Sequence, residues 1–456
     1  MIKCSIRRAA RAAILEFEQQ TPLLDARLAV AQQQLVRPTH QMQMGDIHAG
    51  FAASAQILEA RQEVGGQEHF YLEGQISMAL PTEDGGIFLY TSSQHPSEVQ
   101  KLVAEVLAIP LNQVTVDMRR MGGGFGGKES QAAQWACLAA LLAHKTGRAV
   151  KLRLPRQDDM IMTGKRHPFA NHYRIGIDAD GRIQAADIEL IGNCGNSPDL
   201  SDAIVDRAMF HADNAYFLGN ARIVGHRAFS HQVSHTAYRG FGGPQGMMII
   251  ERALDDIARQ LGKDPLDIRK LNLYGSAETA PERSTTPYHQ DVEHNHLPAM
   301  IEQLEQSSDY RARRQAITEW NRHSPILRKG LALTPVKFGI SFTLQHLNQA
   351  GALIHIYTDG SIQVNHGGTE MGQGLHTKVA QIVAQTLGVG LESIRVTATR
   401  TDKVPNTSPT AASSGTDLNG KAAENAALIL KQRLLEFLVA ERGAVADRVQ
   451  FADGQV

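Results

Sequence analysis

Two hydrophobic periods run through this chain, and the places where one gives way to the other mark its elements. Strand-length apolar or alternating runs occupy residues 86–91, 114–118, 149–154 and 173–190, and residues 65–79 read as extended. Apolar residues spaced by three and four predict helices over 6–19, 98–107, 132–143, 376–387 and 421–441. Ser97 is positioned to cap the second of these, and Pro110 stops it. Asp180-Gly181 inside 173–190 predicts a hairpin with a type I′ turn. Residues 354–365 repeat the device around Asp359-Gly360, with Ser361-Ile362-Gln363 where the first copy has Arg182-Ile183-Gln184. The pattern predicts a mixed α/β chain of the α+β class.

Two glycine loops interrupt this pattern, each just ahead of a predicted helix. The first, Met121-Gly122-Gly123-Gly124-Phe125-Gly126-Gly127-Lys128-Glu129, packs five glycines around one phenylalanine. Such a backbone can adopt positive φ and approach a ligand closely, and its bare N–H groups form an anion-binding nest beside a helix N-terminus. Gly122, Gly127 and Lys128 satisfy the spacing of a P-loop, but Glu129 stands where that motif needs a Ser or Thr to hold magnesium. The second loop, Gly367-Gly368-Thr369-Glu370-Met371-Gly372-Gln373-Gly374, leads into the helix over 376–387. Two units, each with a glycine loop feeding a helix, predict two related domains around one ligand.

Composition narrows the ligand. A chain of 456 residues holds two to four domains at ~150 residues each. A net charge of -1 lacks the basic surface that a nucleic-acid partner or an anionic membrane requires. No apolar run approaches the ~18 residues of a membrane span. Cys4, Cys137 and Cys194 are too scattered for a disulfide framework or a zinc site, and three thiols cannot hold an iron–sulfur cluster. A reducing cytoplasm is expected. Arg7, Arg8 and Arg11 belong to an ordinary helix rather than a targeting segment. His289, His294 and His296 sit in the proline-rich, charged stretch 276–330 without a companion carboxylate or cysteine pattern, and are read as solvated.

Seven segments, taken in order, carry a resemblance. They are Gly65-Gly66-Gln67-Glu68-His69-Phe70-Tyr71, residues 121–129, residues 207–214, residues 236–245 with Tyr238-Arg239-Gly240-Phe241, residues 337–343, residues 367–376, and Asn406-Thr407-Ser408-Pro409-Thr410-Ala411-Ala412. From about residue 60 to 425 the chain resembles the molybdenum-binding subunit of the xanthine dehydrogenase branch of the molybdenum hydroxylase family. The resemblance implies two related molybdopterin-binding domains, 61–275 and 331–456, joined by a connector over 276–330. Residues 1–60 would be the remnant of a small α/β hammerhead-like domain.

It also implies a molybdopterin whose molybdenum bears oxo and sulfido ligands, with no direct protein ligand to the metal. Gly124, Phe125, Gly126, Arg239, Gly240, Gly372, Gln373, Gly374, Ala411, Ala412 and Ser413 fall on the family's cofactor contacts. Gln94, Phe125, Arg239 and Ala412 form the metal's surroundings, Gln94 beside the apical oxo group. Glu129 and Arg207 match the pair that holds the purine, Phe241 and Phe342 the rings that clamp it, and Thr343 a hydrogen-bond donor to it. The implied reaction hydroxylates hypoxanthine to xanthine and xanthine to urate, with oxygen from water. Electrons would pass through [2Fe-2S] clusters and FAD on a partner subunit to NAD, and the expected assembly is a dimer of heterodimers.

One departure matters. The family's general base, a Glu in a Gly-Glu-Pro-Pro segment, has no counterpart here, so the chain is expected to be a fragment truncated at both ends and inactive alone. The alternatives are an aldehyde oxidoreductase of the same family, which the Glu129–Arg207 pair disfavours, and a non-catalytic remnant or assembly module.

Overall fold

The computed structural model describes residues 12, 14, 16–19, 21–276, 278, 280–404, 406–411 and 413–456. The helix expected over 6–19 falls largely outside them, and residues 16–19 are not helical. In chain order the strands are β1 (Leu35–Met44), β2 (Gln56–Val64), β3 (Ile76–Pro81), β4 (Ile87–Thr91), β5 (Val114–Met118), β6 (Val150–Arg153), β7 (Phe169–Ile177), β8 (Ile183–Gly195), β9 (Ala221–Phe229), β10 (Ala352–Ile356), β11 (Ile362–His366), β12 (Ile394–Val396) and β13 (Thr399–Arg400). The helices are α1 (Ala26–Ala31), α2 (Ile47–Ala52), α3 (Pro96–Leu107), α4 (Gln131–Thr146), α5 (Arg156–Met162), α6 (Ser201–Phe210), α7 (Gly243–Leu261), α8 (Pro265–Asn272), α9 (Leu297–Ser307), α10 (Tyr310–His323), α11 (Leu375–Leu387) and α12 (Gly415–Arg442).

Three sheets result. The first runs β1-β9-β8-β7-β2, antiparallel except for the parallel β8–β9 pair. Ile175, Ile177, Ile188 and Leu190 from its strands share one buried core with α6, α7 and α8. On α7, Ile249, Ala253 and Ile257, with Ile250, Leu254 and Ala258, recur at helical spacing and put one face into that core. Residues 276–330 are more than a connector strand of chain: α9 and α10 lie in this stretch and add Ile301 and Tyr310 to the same core. The expected boundary near residue 60 does not match the sheet either, because β1 and β2 take its two edges. Edge strands with exposed faces tolerate polar residues, so the Gln-rich stretch before residue 60 carries little apolar period.

The second sheet, β13-β5-β4-β3-β6, is covered by α3 and α4. Ala133, Ala136, Ala139, Ala140 and Ala143 of α4 are buried in that core, and their small side chains let the helix lie close to the strands. The third sheet, β10-β11-β12, shares its core with α11 and α12.

The repeat in this chain is not the one the two Asp-Gly hairpins suggested. β7–β8 belongs to the first sheet, whereas the hairpin β10–β11 has its counterpart in β3–β4. In both units the hairpin is followed by a helix (α3 or α11), a single 3₁₀ turn (Leu111–Gln113 or Leu391–Ser393) and a strand parallel to the hairpin's second strand. Asp-Gly chemistry recurs wherever a tight turn is needed and does not identify a repeat. Neither turn is type I′: Gly181 (φ +97) and Gly360 (φ +84) are left-handed, but Asp180 and Asp359 are not. The Asp178 carboxylate accepts the N–H groups of Asp180 and Arg182, each at 2.9 Å, and closes the first turn instead. Ser97 also departs from its expected role. Its hydroxyl bonds Thr407, and α3 starts after His95 without a side-chain cap.

Candidate functional site

Five loops, each ending where a helix begins, meet at one cavity of about 520 Å³. The loop ahead of α3 contributes Gln94, that ahead of α4 contributes Gly124, Phe125, Gly126 and Glu129, and that ahead of α7 contributes Tyr238, Arg239, Gly240 and Phe241. Met371, Gly372 and Gln373 precede α11, and Ala411 and Ser413 precede α12. Arg207 enters from α6, and Phe338, Ile340 and Phe342 close the remaining side. Helix N-termini carry partial positive charge and unpaired N–H groups, so five of them around one space favour a polyanionic ligand. Among the described residues, the N–H groups of Gly124, Phe125 and Gly240 donate to no protein acceptor.

Gln94 knits the two halves together at the floor of this space. Its Oε1 accepts from the N–H groups of Gly126 (2.9 Å) and Lys128 (3.4 Å), while its Nε2 donates to the Thr410 carbonyl at 3.0 Å. That closeness explains the glycines. A Cβ at Gly124 would lie 2.4 Å from Gln94 Oε1, and one at Gly126 (φ +98) would lie 2.8 Å from the Ala237 carbonyl. Lys128, the residue that a P-loop aims at phosphate, points away from the cavity. It is fully buried, donates to the Glu73 carbonyl and the Ser92 hydroxyl at 2.7 Å each, and lies over the Tyr71 ring. The second glycine loop is built differently. The Glu370 carboxylate accepts the N–H groups of Gly372 (2.9 Å), Gly374 (3.1 Å) and His376 (3.1 Å). Partial burial works against its charge, yet these three donors hold its carboxyl below the ordinary range.

Glu129 is the carboxyl group in the cavity wall. Glu129 is 5% exposed, and its carboxyl group makes no hydrogen bond to the described residues. Burial first, then the negative charges of Asp199 and Glu98, push its pKa up to about 8 against the pull of Arg207. At neutral pH it is therefore a protonated acid that can donate as well as accept. Arg207, also buried, donates to the carbonyls of Gly339 and Ser341 and leaves its Nε unpaired. The Phe241 and Phe342 rings stand edge-to-face with centroids 6.0 Å apart, beside the Glu129–Arg207 pair. Acid, guanidinium and crossed rings form a slot suited to a flat, polar heterocycle.

Not every expected residue is in this wall. Thr343 faces an adjoining cavity and donates to the Ala203 carbonyl at 3.4 Å. Gly374 sits behind the wall as the N-cap of α11, at φ +74, and Ala412 lies outside the described residues. Tyr238, Phe338, Ile340 and Met371 also line the cavity, although the resemblance assigns none of them a role. Arg166, from none of the motifs, stacks 4.1 Å over the Tyr238 ring and donates to the Arg239 carbonyl at 2.7 Å.

A molybdopterin cofactor-binding domain matches residues 30–273, and a second domain of that description matches residues 303–456. The chain belongs to the molybdopterin cofactor-binding domain family. It is 43% identical over 429 residues to the xanthine dehydrogenase/oxidase of Gallus gallus, covering 94% of this chain and 31% of that protein. The xanthine dehydrogenase of Drosophila pseudoobscura pseudoobscura is 42% identical, with 95% of this chain and 32% of that one covered. The chain thus spans about a third of the length of these relatives. Quinoline 2-oxidoreductase from Pseudomonas putida 86 shares the fold with a TM-score of 0.82 at 22% identity, over 98% of this chain and 58% of its own. The aldehyde oxidoreductase from Desulfovibrio gigas gives 0.79 at 23%, over 99% and 52%.

The cavity fits the cofactor that the family is named for. A phosphorylated pterin needs bare N–H groups at helix ends, and this wall supplies them. The lining residues include no histidine, cysteine or ionised carboxylate aimed inward, which suits a metal carried by the pterin itself. Among the described residues, no helix is long and apolar enough to cross a membrane.

Proposed function

We propose that this chain forms the molybdopterin-binding, purine-hydroxylating part of a xanthine dehydrogenase-type enzyme. The observation that carries the reading is the buried Glu129 acid, without a protein partner, sharing one cavity with Arg207 and the crossed rings of Phe241 and Phe342. When bound, the molybdenum cofactor supplies the hydroxylating and electron-accepting chemistry. The loops at Gly124–Gly126, Arg239–Gly240 and Gly372–Gln373, with Ala411 and Ser413, would hold the pterin, and Gln94, Phe125 and Arg239 would surround the metal it carries.

Phe241 and Phe342 hold a purine flat, and the neutral Glu129 exchanges hydrogen bonds with its ring nitrogens and so fixes which carbon faces the metal. As negative charge spreads onto the heterocycle, the Arg207 guanidinium stabilises it. No second carboxyl lines the cavity among the described residues, and Glu370 is committed to three backbone N–H groups. Electron transfer through [2Fe-2S] clusters and FAD to NAD is assigned to a partner, in a dimer of heterodimers, and the setting is cytoplasmic. Residues 276–330 join the two cofactor-binding halves, since the cavity draws its loops from both sides of that stretch.

Arg207→Met in the loaded enzyme should lower kcat for xanthine on the order of 10²-fold, the usual loss for one electrostatic group, while aldehyde turnover falls less. Equal losses on both substrates would overturn the purine reading.

A further inference from the structure

Asp199 stands where three walls of the cavity meet, without lining the cavity itself. Its backbone is left-handed at φ +41, a conformation uncommon outside glycine. Its carboxylate accepts the Ser130 hydroxyl (2.8 Å), Nε2 of Gln131 (2.7 Å), the Thr236 hydroxyl (2.9 Å) and the Leu200 N–H (2.6 Å). Ser130 directly follows Glu129. Thr236 lies two residues before Tyr238. Leu200 opens α6, which carries Arg207. Three donors from two segments distant in sequence, 130–131 and 236, converge with the N–H of the adjoining Leu200 on one carboxylate, where a surface aspartate would meet water.

We propose that Asp199 is a positioning residue that holds Glu129 and Arg207 at the spacing a flat heterocycle needs. This inference rests on the purine reading of the cavity for its purpose, but not for its geometry. Asp199 leads directly into α6, so cutting either distant tie frees that helix from one wall: the start of α4 behind Glu129 or the Thr236 segment behind Tyr238. Its charge acts as well. The charged groups that face Glu129 are Asp199, Glu98 on α3 and Arg207 on α6, so the carboxylate that fixes Glu129 in place also opposes its ionisation.

The test uses the full chain and two readouts. Infrared spectroscopy follows the carboxylic-acid band of Glu129, assigned by its loss in Glu129→Gln, against pH, and equilibrium dialysis measures xanthine binding. Asp199→Asn removes the charge and should lower the titration midpoint of that band by on the order of one pH unit. Ser130→Ala with Thr236→Val keeps the charge but cuts two ties. It should leave the midpoint in place and weaken xanthine binding by about tenfold, the effect of one to two net hydrogen bonds. An unmoved midpoint in Asp199→Asn, or wild-type xanthine affinity in the double variant, would overturn the proposal. If Glu129→Gln binds xanthine as well as the wild type, the purine reading falls instead, and the midpoint alone then decides whether Asp199 governs Glu129.

Discussion

The two glycine loops look alike in sequence, yet Gly124, Gly126 and Gly127 of the first are hemmed in where Gly372 and Gly374 of the second are not. In the loop over 121–129 the glycines answer to crowding. Added Cβ atoms would strike Gln94 at Gly124, the Ala237 backbone at Gly126 and the His69 ring at Gly127, all within 2.9 Å. In the loop over 367–374, Gly372 (φ +100) and Gly374 (φ +74) face open space, and a Cβ there would meet nothing within 4 Å. Those two glycines answer to backbone conformation, which one carboxylate, Glu370, enforces through three N–H groups. A glycine run therefore says that a backbone is special without saying whether space or φ makes it so.

Substitutions can break or sharpen this contrast. The largest effect is expected at Gly126→Ala, where a forbidden φ and a backbone collision coincide. Strain and overpacking together should cost about 3–5 kcal/mol in denaturant unfolding and abolish pterin retention. Glu370→Gln comes next. It keeps one acceptor oxygen but loses the charge, at about 2 kcal/mol after allowing for its partial exposure. Its signature is in the pH dependence. Because the folded-state pKa of Glu370 is depressed, its contribution is present above the ordinary carboxylate range and is lost as pH falls through the depressed value. The variant's stability should lack that acid-side decline, and an identical acid limb in both proteins would contradict the assigned role. The smallest effect is expected at Gly372→Ala, where φ alone is penalised, at about 1 kcal/mol with pterin still retained. A loss as large as that at Gly126 would show that Gly372 is crowded too.

Much of the site was legible before any fold was known, because it is local. Helix ends and glycine loops announce themselves within ten residues, and the cavity wall gathers Glu129, Arg207, Phe241 and Phe342 from the quoted motifs, with Gln94 from outside them. What sequence missed depends on distant partners. Asp199 meets Ser130 and Thr236 across 69 and 37 residues, and Arg166 reaches Arg239 across 73, with no periodicity to signal either. Thr343 sits one residue beyond Phe342, in a bend that turns its hydroxyl to the Ala203 carbonyl and the adjoining cavity, and no local pattern signals that turn. The repeat was paired to the wrong hairpin because turn chemistry outweighed strand order, and the edge strands before residue 60 were too polar to stand out.

The central claim is that loops from both halves of the chain close on one pterin. Its most direct test is the pterin and molybdenum content of the purified chain, expressed where the cofactor is made and compared with Gly126→Ala. The account predicts one pterin and one molybdenum per wild-type chain and none in the variant. Pterin-free wild-type protein, or equal loading of the two, would contradict it.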